Sequence, residues 1–224
     1  MASSQGLAAP DQWIKEAEDA YRSVAGYTAT FHKQQRVDGE LLEEETIFLK
    51  FRNPFSLYMK WVAEPYIGSE LLYAQGWNNN RARVHRGGLL RVVTRNLEPQ
   101  HPRLMANNLR PFTDVGLGYL VNSVSLNVRK AIKADELSMR SFGEETVYGR
   151  RTQNLEILFP RDKAKGYSAY RLHINQDVDN KMLIRIRIYD WDDQLFENYG
   201  YENLNLNAAL TDTDFSPNCA GYHF

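Results

Sequence analysis

The chain has 224 residues, 43% of them hydrophobic and 25% charged, with a net charge of −1 at pH 7. That is the composition of a folded domain with its own core, and it excludes a disordered or collagenous chain. A single cysteine, Cys219, excludes an internal disulfide and a cysteine-built metal cage.

No run reaches the ~20 apolar residues of a membrane helix. The opening MASSQGLAAP has neither the basic end nor the apolar stretch of a secretory signal. Residues 1–10 are expected to be disordered or foreign to a single domain spanning 1–224. The first periodic segment follows, where Trp13, Ile14, Ala17, Ala20, Tyr21, Val24 and Ala25 recur at helical spacing. Pro10 and Asp11 start this amphipathic helix and Gly26 is expected to end it.

The period then falls to two. Tyr27, Ala29 and Phe31 alternate with polar residues, Asp38-Gly39 turns the chain, and Ile47, Leu49 and Phe51 share the next strand face. Asn53-Pro54 breaks the pattern, Leu57, Met59 and Trp61 resume it, and SELLYAQG extends it to Gly76. Gly87-Gly88 is expected to close a two-residue hairpin turn. A stretch rich in Pro and Asn interrupts the sheet. A second helix then carries Leu117, Leu120, Val121, Val124, Val128, Ala131 and Ile132 on one stripe, with Thr113 or Asp114 as N-cap. More strands follow, over LSMRSF, TQNLEILFP, YRLHIN, MLIRIRIYDW and LFENYGYENL.

About eleven antiparallel strands and two substantial helices make an α+β fold. So large a sheet must curl. Two helices are few to cover it, which points to a partly filled half-barrel with an apolar concavity.

The small net charge conceals two patches. Residues 81–110 carry seven arginines (81, 83, 86, 91, 95, 103 and 110) against Glu98, a net +6. Residues 190–224 carry Asp190, Asp192, Asp193, Asp212, Asp214, Glu197 and Glu202 with no lysine or arginine, a net −7. The arginines interleave with Val and Leu rather than with base-stacking aromatics, so nucleic acid is not an expected partner. Mutual neutralisation of the patches is the simplest expectation, and an anionic headgroup or an acidic partner protein is the alternative.

No nucleophile elbow, phosphate loop, dinucleotide fingerprint or zinc-protease helix is present. The five histidines do not stand at metal-ligand spacing, and His32, His85 and His173 fall on polar strand faces. Asp190, Asp192 and Asp193 lack the glycine and distal glutamate of a calcium loop and read as a solvated turn. Glu43-Glu44-Glu45 reads as a solvated strand edge. Neither an enzyme nor a cofactor or metal is expected.

The segments YTATFHKQQRVDGEL, FLKFRNPFSLYMKW and LLYAQGWN, following an N-terminal helix, resemble the LolA/LolB lipoprotein-carrier superfamily. The ending YENLNLNAALTDTDFSPNCAGYHF looks closer still to an uncharacterised bacterial secreted family, domain of unknown function 1571. The resemblance implies an unclosed half β-barrel whose concave face is covered by the N-terminal and mid-chain helices. It also implies a periplasmic or secreted protein whose native signal peptide has been removed. The implied role is holding acyl chains of lipids or lipoproteins in transit, without catalytic residues. Carried over by residue, the arginine that holds the carrier's lid closed falls on Arg52, and the cavity-lining alternation falls on Leu57, Met59 and Trp61. Strand alternation instead puts Ile47, Leu49 and Phe51 inside, so either Arg52 turns inward through a bulge or Phe51 takes its place.

Two functions compete. The first is a carrier whose cavity is lined by Phe31, Leu49, Phe51, Leu57, Met59, Trp61 and Tyr73, although alternation alone does not separate a cavity from a packed interior. The second is a cell-envelope interaction module that docks an envelope protein through the basic stretch, with Arg81, Arg83 and Arg86 foremost, and the acidic end. Membrane contact is compatible with either, and a monomer is expected.

Overall fold

The structure, a computed structural model, describes residues 9–88 and 93–224. The predicted disordered start therefore lies outside the described residues as far as position 8, and Arg91 of the basic stretch lies outside them as well. The described residues form two compact units, one of residues 9–23 with Val115–Tyr199, the other Val24–Asp114 with Gly200–Phe224.

The first unit holds α1 (Pro10–Arg22), α3 (Leu117–Ala134), β8 (Ser138–Val147), β9 (Arg150–Leu158), β10 (Arg171–Asp177) and β11 (Leu183–Tyr189). The second holds β1 (Gly26–Val37), β2 (Glu40–Leu41), β3 (Glu45–Arg52), β4 (Ser56–Trp61), β5 (Glu70–Ala74), β6 (Ala82–His85), β7 (Thr94–Leu97) and α2 (Pro102–Met105). The last strand, β12 (Leu195–Asn205), runs through both. The strands form one unclosed antiparallel sheet in the order β7-β6-β5-β4-β3-β1-β12-β11-β10-β9-β8, with β2 paired to β1. Among the described residues it has twelve strands where about eleven were expected; β2 is the two-residue arm of the Asp38-Gly39 turn.

In the first unit α1 packs on α3. Trp13, Ile14 and Ala17 are buried from one helix and Leu117, Leu120, Val121, Val124, Val128 and Ala131 from the other. The predicted stripe holds except at its end, where Ile132 is 39% exposed. The helix also starts differently from expectation: Gly116, at φ 103°, is the N-cap, and Asp114 belongs to the preceding 3-10 turn Phe112–Asp114. Glu18 of α1 accepts hydrogen bonds from Ser125 and Arg129 of α3. The Arg129 bond holds its carboxyl below the usual carboxylate range against the opposing effect of burial.

Three other boundaries differ from the sequence reading. Helix α1 stops at Arg22, and Gly26 is already the first residue of β1. A Cβ at Gly26 would lie 2.8 Å from the Phe51 carbonyl oxygen, so glycine there serves strand approach. Gly87-Gly88 is not a two-residue turn, because β6 and β7 pair from His85 opposite Thr94. Part of that longer connection lies outside the described residues. A Cβ on Gly87 would stand 2.0 Å from the Ile67 carbonyl oxygen, so this glycine lets two backbones pass closely. Strand β8 runs on past Phe142 and turns at Tyr148-Gly149, both at positive φ, with Val147 opposite Arg150.

Candidate functional site

The register of the second unit decides which side chains meet. Across β1, β3, β4 and β5, Tyr27 pairs with Phe51, Phe51 with Leu57 and Leu57 with Tyr73. One step along, Ala29, Leu49, Met59 and Leu71 form a second row, and Phe31, Ile47 and Trp61 a third. Directly paired residues share a face, so Phe31, Leu49, Phe51, Leu57, Met59, Trp61 and Tyr73 all stand on one side of the sheet, hereafter the inner face. Leu49 and Leu57 are fully buried, and Phe31, Phe51, Met59 and Tyr73 are at most 7% exposed. Trp61 is half-buried.

Aromatic rings connect the rows. Phe51 stacks on Tyr27 at 5.2 Å and meets Phe55 edge-on at 5.3 Å, Phe55 meets Tyr73 at 5.8 Å, and Phe31 stacks on Tyr201 of β12 at 5.0 Å. Tyr27, Phe55 and Tyr201 were not among the lining residues expected from the sequence. Tyr27 stood in plain alternation with Phe31, whereas Phe55 and Tyr201 come from a turn and a distant strand.

The polar end of this face also went unread. Lys33 is directly opposite Glu45, and both are buried. The Lys33 ammonium donates to Glu45 at 2.6 Å and to Asn108 at 2.5 Å, and the Trp61 indole N–H donates to the other Glu45 oxygen at 2.6 Å. Glu45 is thus no solvated edge: the odd-numbered alternation of β1 simply continues through Lys33 and Gln35. These groups tether the segment after α2. The Leu109 N–H donates to Gln35 at 3.2 Å, Asn107 donates to the Tyr66 hydroxyl at 2.8 Å, and Phe112 lies edge-on to Tyr73 at 5.1 Å.

The even-numbered residues face the other way. Arg52 follows Phe51 with no bulge in the β1–β3 or β3–β4 register, so Phe51 takes the inner position. The Arg52 guanidinium reaches Asp212 at 2.6 Å and lies 5.0 Å over the Phe215 ring. Lys50 reaches Asp214 at 2.7 Å. The acidic end is therefore engaged by Lys50 and Arg52 at these two carboxylates, while Arg81 pairs with Glu98 at 3.4 Å. Arg83 stands in β6 and Arg86 just beyond it. His85, expected at the surface, is 2% exposed. Glu70 is fully buried and takes the backbone N–H and ring Nδ1 of His223 at 3.1 and 2.5 Å. Burial pushes the Tyr58 hydroxyl well above its ordinary value, and the Glu70 carboxylate adds to the shift. Among the described residues no group of His, Cys, Asp and Glu could hold a metal ion, and no helix is long and apolar enough to cross a membrane.

Residues 24–224 match the model of a family described as a protein of unknown function, DUF1571. The chain belongs to this family. No curated protein matches this DUF1571 chain. Among solved structures it is similar to the Mycobacterium tuberculosis lipoprotein LppX, at 15% identity and TM-score 0.54, over 92% of this chain and 100% of that one. MucB is matched at 17% identity and TM-score 0.53 over 94% of this chain, and the MucA/MucB complex of Pseudomonas aeruginosa at 16% and 0.50 over 92%. The DUF1571 chain spans only 63% and 60% of those two chains. A LolA superfamily protein from Nitrosomonas europaea is matched over 94% of this chain and 98% of its own, at 9% identity and TM-score 0.39. At these identities the likeness to LppX and MucB is one of fold.

Proposed function

We propose that the protein is a non-catalytic carrier of the cell envelope, periplasmic or secreted, that holds an acyl chain of a lipid or lipoprotein against the inner face of β1, β3, β4 and β5. The observation that carries this reading is the set of three cross-strand rows, which puts eleven apolar or aromatic side chains on one continuous face ending at the Lys33–Glu45 pair. A face this apolar takes up methylenes at about 0.8 kcal/mol each, so a 14-carbon chain gains on the order of 10 kcal/mol before ordering costs.

The same side chains are packed as they stand, so loading requires the face to open. The segment from α2 to Phe112 is the element to move: it is held to β1 by Lys33 and Gln35 and to β5 by Phe112 on Tyr73. Native mass spectrometry of the purified protein, with extraction of bound lipid and titration of a fluorescent fatty acid, tests the proposal. Saturable uptake at micromolar concentration or tighter is expected. A folded protein that carries no lipid and takes up no acyl probe overturns it.

A further inference from the structure

Beyond β12, the segment Leu206–Phe224 lies on the outer face of β3, β4 and β5. Tyr222 stacks on Tyr58 at 3.7 Å and 7°. Phe215 joins Tyr58 and Leu72 in a cluster against which Trp77, Leu210, Tyr222 and Phe224 pack. Asp212 and Asp214 take Arg52 and Lys50, and His223 takes the buried Glu70.

The grip is made by side chains. The segment adds no strand to the sheet, its own backbone bonds are local turns such as Asp214 to Thr211 and Tyr222 to Cys219, and Phe215 is its one buried residue. Few buried contacts and an exposed backbone put such a segment at the low end of local stability.

The face beneath offers more than the segment uses. The outer row running Lys50, Tyr58, Leu72 continues to Arg83 on β6. Among the described residues Arg83 has no ion pair, and its Nε is buried without a hydrogen-bond partner. A guanidinium left in that state calls for a carboxylate.

We propose that the outer face of β3–β6 is a docking surface for an acidic, aromatic-bearing peptide segment of a partner protein, and that the chain's own C-terminal segment is the resident occupant this partner displaces. The resident defines the chemistry. Two carboxylates at alternate positions meet Lys50 and Arg52, one ring packs under Arg52 and another on Tyr58, and a further carboxylate of the partner reaches Arg83. This surface is separate from the inner face, so it does not depend on the carrier reading.

The test is to insert a protease site at the exposed Asn207, cleave, and follow exchange with a labelled synthetic peptide of residues 208–224. The cleaved segment should exchange while circular dichroism stays unchanged, and the peptide should bind saturably to cleaved protein and at least about tenfold more weakly to intact protein. Asp212→Asn with Asp214→Asn in the peptide should weaken it by about tenfold or more. Adding two glutamates after Phe224 should strengthen it, and Arg83→Gln in the protein should erase that gain alone. On intact protein, the glutamate-extended peptide should speed amide exchange at Cys219, Tyr222 and His223 and leave β3–β5 protected. Acyl-probe uptake is read in parallel and should survive cleavage, which separates failure of this proposal from failure of the carrier. A segment that never exchanges, a fold lost on cleavage, or capture by phosphatidylglycerol vesicles without peptide binding would each overturn the proposal.

Discussion

Phe51 and Arg52, consecutive on β3, serve opposite faces of one strand: Phe51 stacks on Tyr27 at 5.2 Å, while Arg52 binds Asp212 at 2.6 Å. A one-residue slip of β3 would exchange the two, burying a guanidinium among rings and stranding Asp212. The aromatic inner face and the cationic outer face therefore specify the same register independently.

Truncating the two side chains should separate their contributions. Phe51→Ala leaves a cavity among Tyr27, Phe55 and Leu57 and is expected to cost about 3–5 kcal/mol. Arg52→Ala gives up a bond to an almost fully exposed carboxylate and one ring contact, and should cost far less. Urea denaturation of both variants checks the order.

Strand identity, the inner face and both long helices were legible in the sequence because burial writes its own period, two along β3 and near 3.6 along α3. The carboxylate ends of that pattern were not. Glu45 reads as the last of three surface glutamates, and only Lys33 opposite it and the Trp61 indole make it an interior residue. His85 is buried although it sits on a polar-looking strand. The placement of the acidic end was equally hidden: Asp212 and Asp214 are some 160 residues from Arg52 and Lys50 in sequence, and charge counts suggested the arginines of 81–110 instead. Periodicity carries local information, while these contacts are set by which strands become neighbours.

The Lys33–Glu45 pair tests how far the polar end of the inner face is built as a unit. Glu45→Ala leaves a buried ammonium and removes the acceptor of the Trp61 indole, and is expected to cost about 3–5 kcal/mol. Replacing both residues, Lys33→Met with Glu45→Leu, should recover part of that loss, because no unpaired charge remains. It should also loosen the segment around Asn108, seen as faster amide exchange at Leu109. Equal losses in the single and double variants would show that the pair is not the unit.

Acid should release the C-terminal segment. Burial pushes the Asp214 carboxyl up, but the Lys50 hydrogen bond and the Thr211 backbone and hydroxyl donors outweigh it and hold the carboxyl below the usual aspartate range. A carboxyl depressed in the folded state contributes stability above its unfolded pKa and loses it as pH falls through the folded value. The near-ultraviolet signal of the Tyr58–Tyr222 stack should therefore decline below about pH 4, and Asp214→Asn should already show the loss at pH 7 and flatten that limb of the profile.

The packing of α1 on α3 makes a prediction whose sign opposes helix propensity. Gly118 sits in the first turn of α3, where alanine ordinarily stabilises an exposed helix by up to about 1 kcal/mol. Here a Cβ would lie 2.5 Å from the Tyr21 ring of α1. Neither helix can yield freely, because Glu18 is clamped by Ser125 and Arg129 one face along. Gly118→Ala should therefore destabilise the protein by about 1–3 kcal/mol through overpacking. Combining it with Tyr21→Ala should remove the clash, so that the alanine at 118 becomes neutral or stabilising in that background. A double-mutant cycle read from thermal midpoints measures the coupling, and additive effects would show that the ring moves aside without resistance.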